Sequence, residues 1–156
     1  MKKQAYIAIL ILLVSCSSLN RNYTRLSIIE KVRNGYSVRL NSKPIDFEFT
    51  YLDRENISEI RHLNSKKTIE IRTKNQPEFF SMKDVFYTYN VKTQPDIVTI
   101  DGISIDNLNL AKLKFEKNSI SDFRLLTQKD YAGKEFDGMD SLKQTIGNGL
   151  VVISIK

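Results

Sequence analysis

The sequence predicts an α+β fold that is mostly β, with one or two short helices. Three observations carry this expectation. Apolar and polar residues alternate at period two through much of the chain, and helical periodicity is scarce. Three strand-like blocks also recur in the same order in two halves of the sequence.

Taken in order, residues 17 to about 34 are polar (Ser17, Ser18, Asn20, Arg21, Asn22), with a first ordered stretch expected near 26–32. Val38 and Leu40 alternate with Ser37 and Arg39, while Ile45, Phe47, Phe49 and Tyr51 alternate with Asp46, Glu48 and Thr50. Each pattern puts one apolar face on a strand. Asn64-Ser65-Lys66 supplies a hairpin turn between strands over 57–63 and 67–73, where Ile69 and Ile71 alternate with Thr68, Glu70 and Arg72. Val85, Tyr87, Tyr89 and Val91 alternate with Phe86, Thr88 and Asn90, which predicts a strand over 85–91. The nearly continuous apolar, β-branched run from Leu150 to Ile155 predicts a strand covered on both faces. Helices are expected over 107–115, and over 140–146 behind Asp140 as a cap.

Laid against itself, the chain repeats. Leu40-Asn41-Ser42-Lys43-Pro44-Ile45-Asp46 matches Ile100-Asp101-Gly102-Ile103-Ser104-Ile105-Asp106. Ile57-Ser58-Glu59-Ile60-Arg61-His62-Leu63 matches Ile120-Ser121-Asp122-Phe123-Arg124-Leu125-Leu126, and the segment 68–74 matches 150–156. Two related units follow, at 35–75 and 96–156, joined by a connector at 76–95 that holds Pro77, Pro95 and the 85–91 strand. The second copy has about twenty extra residues between its last two strands. A unit of some forty residues buries little core alone, so the two are expected to pack together or to join their strands.

Composition narrows the function classes. Cys16 is the only cysteine, which excludes an intramolecular disulfide. Lys2 and Lys3 precede an apolar run over 5–14, and Leu13-Val14-Ser15-Cys16 follows. This pattern resembles a bacterial lipoprotein signal peptide (1–15) with its lipobox, cleaved before Cys16. The apolar run, roughly ten residues, is half of what a spanning helix needs. The resemblance implies lipidation at Cys16, a tether over 16–34, and stable anchoring by several acyl chains. The implied location is the outer membrane. No acidic cluster follows Cys16, which tilts the expectation toward the periplasmic side. Losing Lys2 and Lys3 with the signal lowers the formal charge from +6 to +4. The remaining charges are interspersed rather than clustered, so nucleic acid is not an expected partner.

The second copy carries a further resemblance. Its parts are Ile97-Val98-Thr99-Ile100-Asp101-Gly102 followed by Ile103-Ser104-Ile105, then Asn118-Ser119-Ile120-Ser121-Asp122-Phe123-Arg124-Leu125-Leu126 with Lys129-Asp130 beyond. Gly147-Asn148-Gly149-Leu150-Val151-Val152-Ile153-Ser154-Ile155-Lys156 closes the chain. In order and ending these resemble the plug domain of TonB-dependent outer-membrane transporters. The first copy would be a degenerate version lacking the Asp-Gly and Asn-Gly. The small-residue helix usual in such plugs is replaced by the 131–140 segment, and no barrel sequence follows, so transport itself is not implied. The resemblance implies an accessory to an outer-membrane uptake complex, with a transporter or another envelope protein as partner.

Nothing in the residues spells a reaction. His62 is the only histidine; its repeat counterpart is Leu125, and no nucleophile can be assigned to it. Glu135, Asp137 and Asp140 surround Gly138 but lack the spacing of a calcium loop. There is no Gly-x-Ser-x-Gly elbow and no phosphate-binding loop. The expected function is therefore a lipid-anchored, non-enzymatic interaction module of the cell envelope, with no cofactor and no metal. The alternative is binding of a small ligand or glycan by the aromatic segment 79–91, with Phe86, Tyr87 and Tyr89 as contact residues.

Overall fold

The computed structural model describes residues 23–127, 130 and 148–156. Helix α1 (Arg25–Arg33) leads into the hairpin β1 (Ser37–Leu40) and β2 (Lys43–Ile45); β3 (Thr50–Tyr51), β4 (Ile57–Leu63) and β5 (Thr68–Thr73) follow. Strand β6 (Phe79–Ser81) and helix α2 (Met82–Thr88) lead to the hairpin β7 (Ile97–Ile100) and β8 (Ile103–Ile105). Helix α3 (Asn107–Leu110), β9 (Lys114–Glu116), β10 (Ile120–Leu126) and β11 (Leu150–Ile155) complete the described elements. The fold is α+β and mostly β, as the alternation predicts.

The repeat is structural. One sheet has the order β2-β1-β5-β4 and the other β8-β7-β11-β10. In each, a hairpin is joined in parallel to a strand that itself closes a second antiparallel hairpin. Leu40 pairs with Ile71 as Ile100 pairs with Ile153, and Leu63 pairs with Thr68 as Leu126 pairs with Leu150. Even the irregularity coincides, falling between Ile57 and Glu59 in one sheet and between Ile120 and Asp122 in the other.

Single polar groups repeat as well. The Asn41 side chain accepts the Thr73 N–H at 3.1 Å, and Asp101 accepts the Ile155 N–H at 2.9 Å. Both acceptors sit at positive φ, 47° and 50°, in two-residue turns completed by Ser42 and Gly102. Such turns need left-handed backbone at both positions, which Asn, Asp and Gly tolerate best.

Each sheet buries one face. Val38, Leu40, Ile69 and Ile71 form the first core with Ile28 of α1, Phe47 and Leu52. Val98, Ile100, Val151 and Ile153 form the second with Val85 of α2, Leu113 and Phe115. The 150–155 run, expected to be covered on both faces, buries Val151 and Ile153 fully but leaves Leu150 and Val152 half-buried. It is central in its sheet, yet among the described residues only one face of that sheet meets a core.

The ordered stretch expected near 26–32 is helix α1, which packs Ile28 into the first core, with Tyr23 buried beside it. Several other expectations change. The connector over 76–95 does hold a strand, but at Phe79–Ser81. The 85–91 alternation is instead α2 and the turn after it. The reason lies in the cap. Ser81 and Asp84 form a reciprocal capping box, with Ser81 N–H donating to Asp84 at 2.8 Å and Asp84 N–H to Ser81 Oγ at 3.3 Å. The stretch 45–51 is broken by a 3-10 turn at Phe47–Phe49, and the 107–115 helix stops at Leu110. The predicted helix over 140–146 lies outside the described residues.

A third sheet, β3-β9-β6, ties the halves together. β3 from the first unit runs parallel to β9 of the second, and β6 of the connector pairs antiparallel with β9. Tyr51 of β3 thereby joins the second core and stacks on Phe115, ring centres 5.1 Å apart.

Candidate functional site

At this junction a buried carboxylate spans the two units. Glu116, only 5% exposed, accepts the Asp53 N–H at 2.8 Å through one oxygen and the Asn56 side-chain amide through the other. Asp53 is its counterpart in the first unit, and both begin the same tight turn. Asn56 N–H donates to Asp53 O at 3.0 Å, and Ser119 N–H to Glu116 O at 2.8 Å. Beside them opens a cleft of about 340 Å³, edged by Glu55, Asn56, Lys74, Glu78, Lys117 and Asn118. Asp53 accepts the Glu55 N–H at 3.0 Å, Glu116 is held as described, and Glu78 meets Lys117 at 3.4 Å. Among the described residues, no group of acids, histidines or cysteines is arranged to hold a metal ion.

Arg25 of α1 also packs on Tyr51, its guanidinium 4.1 Å from the ring centre. It donates to the carbonyls of Phe47 at 3.2 Å and Glu48 at 2.6 Å, fastening α1 to the first unit. Burial pushes the Tyr23 hydroxyl up to about 12, despite the opposing pull of Arg25, and burial likewise raises Tyr51. Both stay neutral phenols.

His62 is half-buried on β4, and Lys31 of α1 donates to its Nδ1 at 3.1 Å. Burial, and then the Lys31 charge, push the imidazole below its ordinary value of 6.5. The unfolded chain thus takes up a proton before the folded one does. Stability from this site is complete above about pH 6.5 and is lost as pH falls through the folded value. His62→Gln should flatten that dependence. Melting temperatures of both proteins between pH 7.5 and 5 would check it, and equal slopes would refute it.

The three aromatic candidates do not converge. Phe86 packs against the second core, Tyr87 is 87% exposed, and Tyr89 lies on Phe123 of β10 with ring centres 4.1 Å apart. Helical geometry separates them: Phe86 and Tyr89 share a face, and Tyr87 leaves it. Cys16 and the acids Glu135, Asp137 and Asp140 lie outside the described residues.

Exposed large apolar side chains are distributed unevenly. Tyr87, Tyr89, Ile103, Leu108 and Leu125 belong to the connector and second unit, whereas the first unit has none and, among the described residues before it, only Leu26 is exposed. The hairpin edges differ in the same sense. β2 carries Lys43 and Pro44, both exposed, and these are typical guards of a sheet edge. At the matching positions β8 carries Ile103, 59% exposed, and Ser104. That loss of guards was already present in the 40–46 and 100–106 repeat. Reading it needed the knowledge that both segments lie at edges. Glu116 gave no such signal, since only the fold brings it to Asp53.

No protein-family model, curated protein or solved structure matches this chain.

Proposed function

We propose that the chain is a non-enzymatic interaction module of the cell envelope, lipid-anchored through Cys16, whose second unit docks on a partner of an outer-membrane uptake complex. The carrying observation is the asymmetry between two units of one topology: the second exposes Ile103, Leu108 and Leu125, and the first, over 35–75, exposes no large apolar side chain. Two copies under the same packing demands should expose similar surfaces, and a surplus on one marks a contact surface. The plug-like order of motifs in that same unit supports a partner among transporter assemblies. The signal-like segment before Cys16 supports the anchor.

Mild-detergent capture of the native chain, with mass spectrometry of what accompanies it, tests the reading. The expected result is a stoichiometric envelope protein, and a clean, partner-free chain would overturn it. Cys16→Ala should move the protein from the membrane fraction to the soluble one. Retention of that variant after a salt wash would remove the anchor from the proposal.

A further inference from the structure

The two hairpins of the repeat offer an internal comparison at their outer strands. β2 and β8 occupy the same edge of the same topology. Their registers also match, Val38 with Ile45 and Val98 with Ile105 at one end, Leu40 with Lys43 and Ile100 with Ile103 at the other. β2 is closed to further pairing. Pro44 has no N–H to donate, and Lys43 would carry a charge into any added strand pair. β8 has neither device. Ile103 replaces the lysine, Ser104 replaces the proline, and β8 contains no charged side chain.

The hairpin register fixes which backbone groups face outward. With Asp101 and Gly102 as the turn, the flanking pair Ile100 and Ile103 exchanges hydrogen bonds, so Ser104 turns its N–H and C=O away from β7. Among the described residues, β8 has no strand on that side. Ile105 lies on the same face as Ile103, two residues along, and packs against the second core while Ile103 stays largely in water.

We infer that β8 pairs antiparallel with β8 of a second copy of this chain, about a two-fold axis at Ser104. The inference rests on the reading of the chain as an interaction module and names one of its partners. An isologous strand pair has to complement itself. About Ser104, Ile103 faces Ile105 of the second copy and Ile105 faces its Ile103, which prolongs each apolar face into the other. The two Ser104 residues exchange their outward N–H and C=O groups. Gly102 then faces Asp106 of the second copy, and no charge meets its like. The long edge strands do not offer this. β4 and β10 each carry a bulge and an exposed ion pair, Arg61 with Glu59 and Arg124 with Asp122. Both features discourage pairing. A three-residue pair buries well under the ~1,000 Å² of a stable interface. It therefore holds where tethering to one membrane keeps copies concentrated.

The test uses the full-length chain carrying Ser104→Cys, oxidised in intact membranes with copper phenanthroline and read on non-reducing gels. Hydrogen-bonded antiparallel partners lie about 5.5 Å apart at Cα, within disulfide reach. A dimer band is expected well above two backgrounds, the parental chain with Cys16 alone and Ser65→Cys in the exposed turn after β4. Adding Ile103→Lys, which restores the guard of β2, should cut the yield roughly tenfold. Its melting temperature should stay at the parental value, because Ile103 is outside the core. Dimer yield no higher than background, or yield indifferent to Ile103→Lys, overturns the inference. An adduct with a different envelope protein alone also removes the second copy, while leaving the interaction reading in place. Partner-free capture of the native chain would count against that reading separately.

Discussion

Glu116→Ala is expected to lower the free energy of unfolding by about 2–4 kcal/mol, a large share of a small protein's stability. The substitution leaves the buried Asp53 N–H and the Asn56 amide without the acceptor that now joins them across the units. Buried donors left unpaired cost more than the bond itself contributes. Urea denaturation followed by circular dichroism measures the effect, with the midpoint falling by roughly 1–2 M. Glu78→Ala provides the contrast. That carboxylate is exposed and meets Lys117 at 3.4 Å, so its loss should move stability by less than about 0.5 kcal/mol. Equal effects from the two substitutions would mean that the Glu116 clasp contributes nothing particular.

Ile71→Ala and Ile153→Ala should each cost about 3–4 kcal/mol, since both side chains are fully buried at matching places in the two cores. The informative result is the shape of the transition. Tyr51 leaves the first unit to pack in the second core, β3 pairs with β9, and Glu116 reaches back to Asp53. With the halves interlocked in this way, either substitution should shift one cooperative transition for the whole chain. Tyrosine fluorescence and far-ultraviolet circular dichroism would then give coincident curves. A second phase in Ile153→Ala, with the first unit still folded, would show that the third sheet is too weak to couple them.

How much of this was legible in the sequence depends on how local each signal is. The repeat was legible because turn chemistry and strand alternation are written in adjacent residues. Asn41 and Asp101, and Ser58 and Ser121, stand at matching places because they make matching bonds. The α2 helix was misread because Val85, Tyr87, Tyr89 and Val91 alternate by accident. The better cue, Ser81 three residues before Asp84, is a helix start rather than a periodicity. Strands β3 and β9 are only two and three residues long: Tyr51 of β3 ends the 45–51 alternation, β9 overlaps the stretch expected as a helix, and their partners are distant in sequence. The same distance hid the burial of Glu116. For the candidate site, the aromatic types in 79–91 were visible, but their separation onto different faces follows from the helix.

The matched ends of the two second hairpins bear on how such a fold can change over generations. Leu63 meets Thr68 and Leu126 meets Leu150 in the same register, although four residues (64–67) separate one pair and twenty-three (127–149) the other. For a flexible connection, closure entropy grows only with the logarithm of length, so lengthening one costs little. This end of the unit is therefore a place where insertions are cheap. A lineage can lengthen, shorten or rewrite it while the flanking strands keep their partners, and new specificity can be acquired there without rebuilding the core.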